Sequence, residues 1–180
     1  MKTIKVSIEG TTPILMNQYN VQAELDRQKG VRTTKNYDPI VEAKKSAYYS
    51  QDGKTLIIKS EILYASILNA SSFHKIGRRS AKSILAGSIR VEPMEISLGT
   101  KDYEIDTRPV VIQRARVLKS RAKLTKWKAS FEIIYNEDLI ANPEIVRTVL
   151  EEAGQRIGIF DFRPQKGGPY GTFKITSFKS

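Results

Sequence analysis

The stretch GQRIGIFDFRPQKGGPYGTFKITSF, residues 154–178, holds five glycines, two prolines, four phenylalanines and one tyrosine. Glycine permits positive φ angles and the close approach of a partner backbone, so the stretch predicts a tight loop. Helix-start residues lie upstream at Asn142, Pro143 and Glu144, and residues 172–176 alternate like a strand. Aromatic and arginine side chains beside such a loop are typical of surfaces that stack nucleobases.

The aromatic residues of this stretch fall into two predicted groups. We expect Phe160, Phe162 and Phe173 in the core, where they attach the last helix and strand to the sheet. Tyr170, placed between glycines, is the candidate for base stacking. With it, Arg163, Lys166 and the glycine-rich loop residues Gly167, Gly168 and Gly171 form a candidate rim for a single strand. A plain glycine-rich turn with all its aromatics in the core explains the stretch equally well.

The composition predicts one domain spanning residues 1–180, long enough to bury a core. No apolar run reaches the length of a membrane span, and the first residues alternate instead of forming a signal peptide, so we expect a cytoplasmic protein without membrane contact. If the protein is viral, this is the cytoplasm of the host. Cysteine is absent and histidine occurs once, which excludes thiolate and multi-histidine metal sites. No nucleotide-binding loop occurs, and we expect neither a metal nor a cofactor.

The order of predicted elements indicates an α+β fold. Residues 2–8 alternate as a first strand, and Asp38 followed by Pro39 is a helix start. Strands and helices then follow in the order β-α-β-α-(α)-β-β-β-α-β, which favours an antiparallel sheet with its helices mainly on one face. The polar residues 17–37 predict a mobile insertion.

Two long strands, 113–123 and 126–135, predict a basic β-hairpin that turns near residues 123–125. In the second strand the apolar residues recur with period two, which is typical of a strand with one buried face. Trp127 lies on that apolar face, and we expect it in the core.

The charge is the strongest compositional signal: the net charge is +11 and the pI about 9.8. Residues 108–128 and 74–90 each carry several cations and no acid, whereas the acids concentrate in 92–106 and 132–152. Such segregation is expected of a nucleic-acid-binding surface, and we expect the two basic segments to form one groove. Lysines that guard an exposed hairpin edge against aggregation are the alternative. The candidate nucleic-acid-binding residues outside the glycine-rich loop are Lys75, Arg78, Arg79, Lys82, Arg114, Arg116, Lys119, Arg121, Lys123, Lys126 and Lys128.

His74 is the single candidate for catalysis. It precedes a run of cations, and a metal-independent RNA-cleaving site needs a general base together with cations for the developing phosphorane charge. A histidine near a helix C-terminus is more commonly a favourable partner of the helix dipole.

Three segments resemble the RAMP superfamily, the RRM-like proteins of CRISPR effector and processing complexes. Residues 10–15, Gly-Thr-Thr-Pro-Ile-Leu, resemble the opening motif G-x-(S/T)-P-L, and residues 56–68 are similar to the motif (Y/F)-I-P-G-S-S-L-K-G-x-L-R, with Lys59 in place of the proline. The ending resembles the glycine-rich loop of the same superfamily, and also small uncharacterised proteins of phages, prophages and archaeal mobile elements. The resemblance implies an RRM/ferredoxin-like core, RNA held along a basic face, and a viral or mobile-element origin.

The leading hypothesis is a non-catalytic protein that binds single-stranded DNA or RNA largely without sequence preference, with self-association into a homo-oligomer as a further expectation. Two alternatives remain. One is an endoribonuclease of the CRISPR-processing type that uses His74. The other is a structural or inhibitory module that binds a protein through its basic surface.

Overall fold

The computed structural model describes residues 1–19, 21, 25, 28–29, 37–112 and 114–180. Most of the insertion predicted for residues 17–37 therefore lies outside the described residues. The strands are β1 Lys2–Gly10, β2 Ile14–Leu15, β3 Ile57–Lys59, β4 Lys75–Ile76, β5 Arg79–Ser80, β6 Ile89–Glu92, β7 Glu95–Ser97, β8 Glu104–Ile112, β9 Ala115–Leu124, β10 Lys128–Tyr135 and β11 Phe173–Lys179. The helices are α1 Pro39–Ser46, α2 Ser60–Ser71, α3 Ala81–Leu85 and α4 Glu144–Glu152.

A four-stranded antiparallel sheet in the order β11-β1-β10-β6 carries the core. The alternation in β1 buries Ile4, Val6 and Ile8 and exposes Lys5 on the opposite face. Helices α2 and α4 contact each other and this sheet at β6 and β11. The order β1-α2-β6-β10-α4-β11 is the ferredoxin-like arrangement of an α+β fold, as the sequence predicted.

Two of the residues that the sequence placed at helix starts accept hydrogen bonds from the first turn of their helix. The Asp38 carboxylate accepts a hydrogen bond from the amide of Ile40 (2.9 Å), with Pro39 at the first helical position. The Asn142 side chain likewise accepts from the amide of Glu144 at 3.0 Å. Trp127 is 5 % exposed, and its Nε1 donates to the carbonyl of Thr12 (2.9 Å), so its predicted place in the core is confirmed.

The predicted hairpin is wrong in its pairing. Strand β9 pairs with β8 over its whole length, from Glu104 opposite Lys123 to Ile112 opposite Ala115, and its far end also pairs with β2. Strand β10 belongs to the other sheet, between β1 and β6. Residues 125–127 thus carry the chain from one sheet to the other instead of making a hairpin turn. The basic hairpin of the structure is β8–β9, with Arg114 at its tip in a left-handed conformation (φ 68°).

The glycine-rich loop lies against both other segments of the family resemblance. A π-helical turn, Ala153–Ile157, leads into the loop at Gly158. The carbonyl of Gly158 accepts a hydrogen bond from the Ser66 hydroxyl of α2 (3.0 Å). The amide of Gly171 donates to the carbonyl of Pro13 (2.8 Å), between β1 and β2. The three similar segments, which are far apart in sequence, therefore meet at one place in the fold.

Candidate nucleic-acid interface

A cleft of about 490 Å³ separates the β8–β9 hairpin from the glycine-rich loop, and we call it the hairpin–loop cleft. It combines cations from both sides with a single carboxylate. Its lining residues are Asn17, Arg108, Pro109, Val110, Lys119, Arg121, Asp161, Phe162, Arg163 and Lys166. The cleft thus joins two parts of the predicted site, the hairpin and the loop.

Arg121 fixes the floor of this cleft. Its side chain is 5 % exposed, and its Nη1 donates to the Asp161 carboxylate at 2.5 Å. The amide of Asp161 in turn donates to the carbonyl of Leu15 (3.0 Å). A buried guanidinium needs such a partner, so this predicted nucleic-acid-binding residue has its charge compensated within the fold.

Arg108 joins the hairpin to the loop. Its guanidinium donates to the Asp106 carboxylate and to the Tyr170 hydroxyl (2.8 Å), and its central carbon lies 5.3 Å from the centre of the Tyr170 ring. The hydrogen bonds to Asp106 and then to Tyr170 raise the pKa of Arg108. Arg108 was part of the basic run in the sequence, but no local pattern shows that its partner lies in the loop.

Lys119, Arg163 and Lys166 carry the uncompensated charge of the cleft. None of the three forms an ion pair with a described residue. Arg163 donates to the carbonyl of Phe160 (2.8 Å) and to the amide oxygen of Gln165 (2.9 Å), which orients its guanidinium without neutralising it. Arg114 and Arg116 are exposed at the hairpin tip, beyond the cleft.

Three other predicted lysines, Lys123, Lys126 and Lys128, are not among the residues that line the cleft. Lys123 pairs with Glu104 at 2.7 Å, and this hydrogen bond raises the pKa of Lys123 and lowers that of Glu104. Lys126 lines a different hollow, with Asp102 and Glu104 among its other residues. Lys128 lies on the open face of the four-stranded sheet, opposite Glu9.

The basic segment around residues 74–82 lies at the other end of α2. The short β4–β5 hairpin, with Lys75, Arg78, Arg79 and Lys82 in or beside it, follows the C-terminal end of this helix at Ser71. The hollow next to the cleft is lined by the N-terminal half of α2, and twelve helical residues span about 18 Å. None of the residues that line the cleft comes from 74–90.

His74, the single candidate for catalysis, has its Nε2 atom inside the protein. This atom is buried and makes no hydrogen bond within the part of the chain that the structure describes.

A second hollow, of about 350 Å³, adjoins the cleft on the side of α2. Asn17, Asp161 and Arg163 line both hollows, and Glu61 and Tyr48 belong to the second one alone. Burial and then the carboxylates of Asp161 and Glu61 raise the pKa of Tyr48. This hollow is acidic where the cleft is basic.

The open face of the four-stranded sheet is unlike the base-binding face of an RRM, where exposed aromatics stack two or three bases. In the described structure this face carries charged and hydroxyl side chains, among them Lys5, Ser7, Glu9, Arg90 and Lys128. Ser7 and Ser130 are hydrogen-bonded across it at 2.9 Å. At the hairpin–loop cleft, by contrast, the exposed ring of Phe162 lies among cations.

The described residues contain neither a candidate metal site nor a helix that could span a membrane. No group of three or more histidine, aspartate or glutamate side chains there could hold a metal ion. None of the helices there is long and apolar enough to cross a membrane.

The protein is similar in fold to solved structures. No protein-family model and no curated protein matches the sequence. Among solved structures, a chain of the cryo-EM structure of the Type III-B Cmr-beta bound to cognate target RNA has the same fold, with a TM-score of 0.63 at 12% identity. The match covers 98% of this chain and 59% of that chain, so the protein spans little more than half the length of its structural neighbour. At this identity the likeness shows a shared fold alone.

Proposed function

We propose that the protein binds single-stranded nucleic acid, RNA in the first place, in the hairpin–loop cleft. The observation that carries this proposal is a cleft between two elements in which Lys119, Arg163 and Lys166 have no ion-pair partner among the described residues. One structural neighbour with the same fold belongs to a complex that is described as bound to target RNA, which supports RNA as the first ligand to test.

The cleft has the charge that a phosphate backbone requires. Arg108 and Arg121 are compensated by Asp106 and Asp161, so the three remaining cations supply the attraction. Each phosphate that they contact releases counterions, and for single strands the slope of log K against log salt changes by about 0.7 per contact. Three contacts predict a slope near −2 from the cleft alone. Because these are phosphate contacts, we expect little sequence preference.

A salt titration of binding tests the proposal. Fluorescence anisotropy of a labelled RNA of roughly 12 nucleotides, and of the DNA of the same sequence, is measured between about 50 and 200 mM salt. Wild-type protein is expected to bind both, with an affinity that falls steeply as salt rises. Affinity that is absent at the lowest salt, or constant across the range, would contradict the proposal.

Two charge-matched double variants locate the site. Lys119→Ala with Lys166→Ala removes two cleft cations and is expected to lower the magnitude of the slope by about 1.4. Lys126→Ala with Lys128→Ala removes the same charge from surfaces outside the cleft, and is expected to leave the slope close to the wild-type value. Equal effects of the two pairs would show that binding does not depend on the cleft.

A further inference from the structure

Phe162 is the aromatic residue that the loop turns outward. The sequence predicted it in the core with Phe160 and Phe173, and those two are buried (6 % and 2 % exposed). Phe162 is 38 % exposed instead and lines the hairpin–loop cleft, so the core prediction is wrong for this residue.

The backbone around Phe162 is specifically arranged for this outward position. Its φ is 49°, in the left-handed region that a bulky L-residue rarely adopts. The amide of Tyr170 donates to its carbonyl at 3.2 Å, and a Cβ at Gly168 would overlap the same carbonyl oxygen. The missing side chain at Gly168 therefore lets the loop fold back against the backbone of Phe162.

The ring of Phe162 packs against the ring of Tyr170, which also contacts Arg108. Its centre lies 5.9 Å from that of Tyr170, with an angle of 34° between the ring planes. Tyr170 is held by Arg108 through its hydroxyl and its ring. Tyr170, the stacking residue expected from the sequence, is thus engaged within the protein, and Phe162 is the more exposed ring of the pair.

We propose that Phe162 stacks on one nucleobase of the strand whose phosphates lie on Lys119, Arg163 and Lys166. This inference rests on the proposed function and adds a base contact to its phosphate contacts. Arg163 and Lys166 follow Phe162 on the same loop and line the same cleft, so a backbone held by them carries its bases past the ring. Every base has a π-face, so a single stacking contact keeps the binding tolerant of sequence.

The substitution Phe162→Ala tests this site through its salt dependence. Removing one stacked base contact is expected to lower the affinity for the 12-nucleotide RNA about 5- to 150-fold at every salt concentration. The salt slope is expected to stay at the wild-type value, because stacking releases no phosphate counterions. Phe73→Ala is the matched control: Phe73 is 53 % exposed and lies at the end of α2 away from the cleft, and its loss is expected to leave affinity unchanged.

Two more variants keep the test decisive if Phe162→Ala unfolds. Phe162→Leu retains apolar bulk without a π-face and is expected to bind as weakly as the alanine variant. Phe162→Trp retains stacking and adds an exposed indole to a protein whose one other tryptophan, Trp127, is buried. The fluorescence of the new tryptophan is expected to be quenched when the RNA binds, with affinity at least equal to wild type.

The outcomes separate this inference from the proposed function. Wild-type protein that fails to bind RNA or DNA overturns both. Wild-type binding with unchanged affinity in Phe162→Ala or Phe162→Leu, or binding without quenching in Phe162→Trp, overturns the stacking site alone. A loss of salt slope in Phe162→Ala equal to that of the Lys119 and Lys166 pair would show that Phe162 acts only by positioning the cations.

Discussion

Gly167 and Gly171 of the glycine-rich loop differ in whether the structure has room for a side chain. Gly167 and Gly171 both have positive φ, 75° and 78°. A Cβ at Gly167 would meet no atom within 4 Å, whereas one at Gly171 would overlap the carbonyl oxygen of Ile159. Gly171 also donates to Pro13, so the backbone there cannot move away without breaking the contact between the loop and the β1–β2 corner.

We expect Gly171→Ala to destabilise the protein far more than Gly167→Ala. The Gly167 variant adds only the cost of a left-handed alanine, about 1 kcal/mol. The Gly171 variant adds a steric overlap with fixed backbone, and we expect a loss on the order of 3 kcal/mol. Urea unfolding of the two variants, with the slope checked for two-state behaviour, measures both. Equal losses would show that the loop at Gly171 adjusts without cost.

At the scale of single residues, the sequence predicts what depends on local chemistry. The Asp38 cap and the buried Trp127 follow from neighbouring residues or from strand alternation. Phe162 does not, because its exposure depends on a left-handed turn and on the approach of residues 168–170. The Arg121–Asp161 pair is equally invisible, since it joins residues that lie 40 positions apart.

At the scale of elements, alternation identified strands but not their partners. Residues 115–124 and 128–135 are both strands, close to the predicted ranges, yet they belong to different sheets. Period two reports which face of a strand is buried and carries no information on its neighbour. Leu124 at the end of β9 and Trp127 at the end of the connection are both buried, so burial alone does not show where one strand ends and the next begins.

The tip of the β8–β9 hairpin offers a test of this element. Replacing residues 111–116 by Asn-Gly joins Val110 to its cross-strand partner Val117 and removes Arg114 and Arg116. If both arginines contact phosphates, the salt slope for RNA falls by about 1.4. Because Val111, Arg114, Ala115 and Arg116 are all exposed, we expect the free energy of unfolding to change by no more than about 1 kcal/mol. An unchanged slope would show that the tip does not touch the strand.

At the scale of the whole molecule, the fold turns three distant sequence segments into one site. Residues 10–15 and 56–68 support the glycine-rich loop through Pro13 and Ser66, and the loop then faces the basic hairpin. Sequence similarity could name these segments because each has a local pattern. Residues 74–82 lie at the C-terminal end of α2, whereas the hollow that adjoins the cleft lies at the N-terminal end of this helix. Sequence similarity could not show this separation, because it depends on how the helix crosses the sheet.

Because residues 75–82 lie apart from the hairpin–loop cleft, we expect them to attract RNA only over a distance, whereas the cleft cations contact it directly. Lys75→Ala with Arg78→Ala and Lys119→Ala with Lys166→Ala each lower the net charge of +11 by two. Surface charges are screened within about 8 Å at 0.15 M salt but act over about 30 Å at 0.01 M. We therefore expect the Lys75 and Arg78 pair to weaken RNA binding only near the lower salt concentration. The cleft pair is expected to weaken it at both. Anisotropy titrations at the two concentrations measure the difference, and an equal loss at 0.15 M would place residues 75–82 in the binding site, as the sequence had predicted.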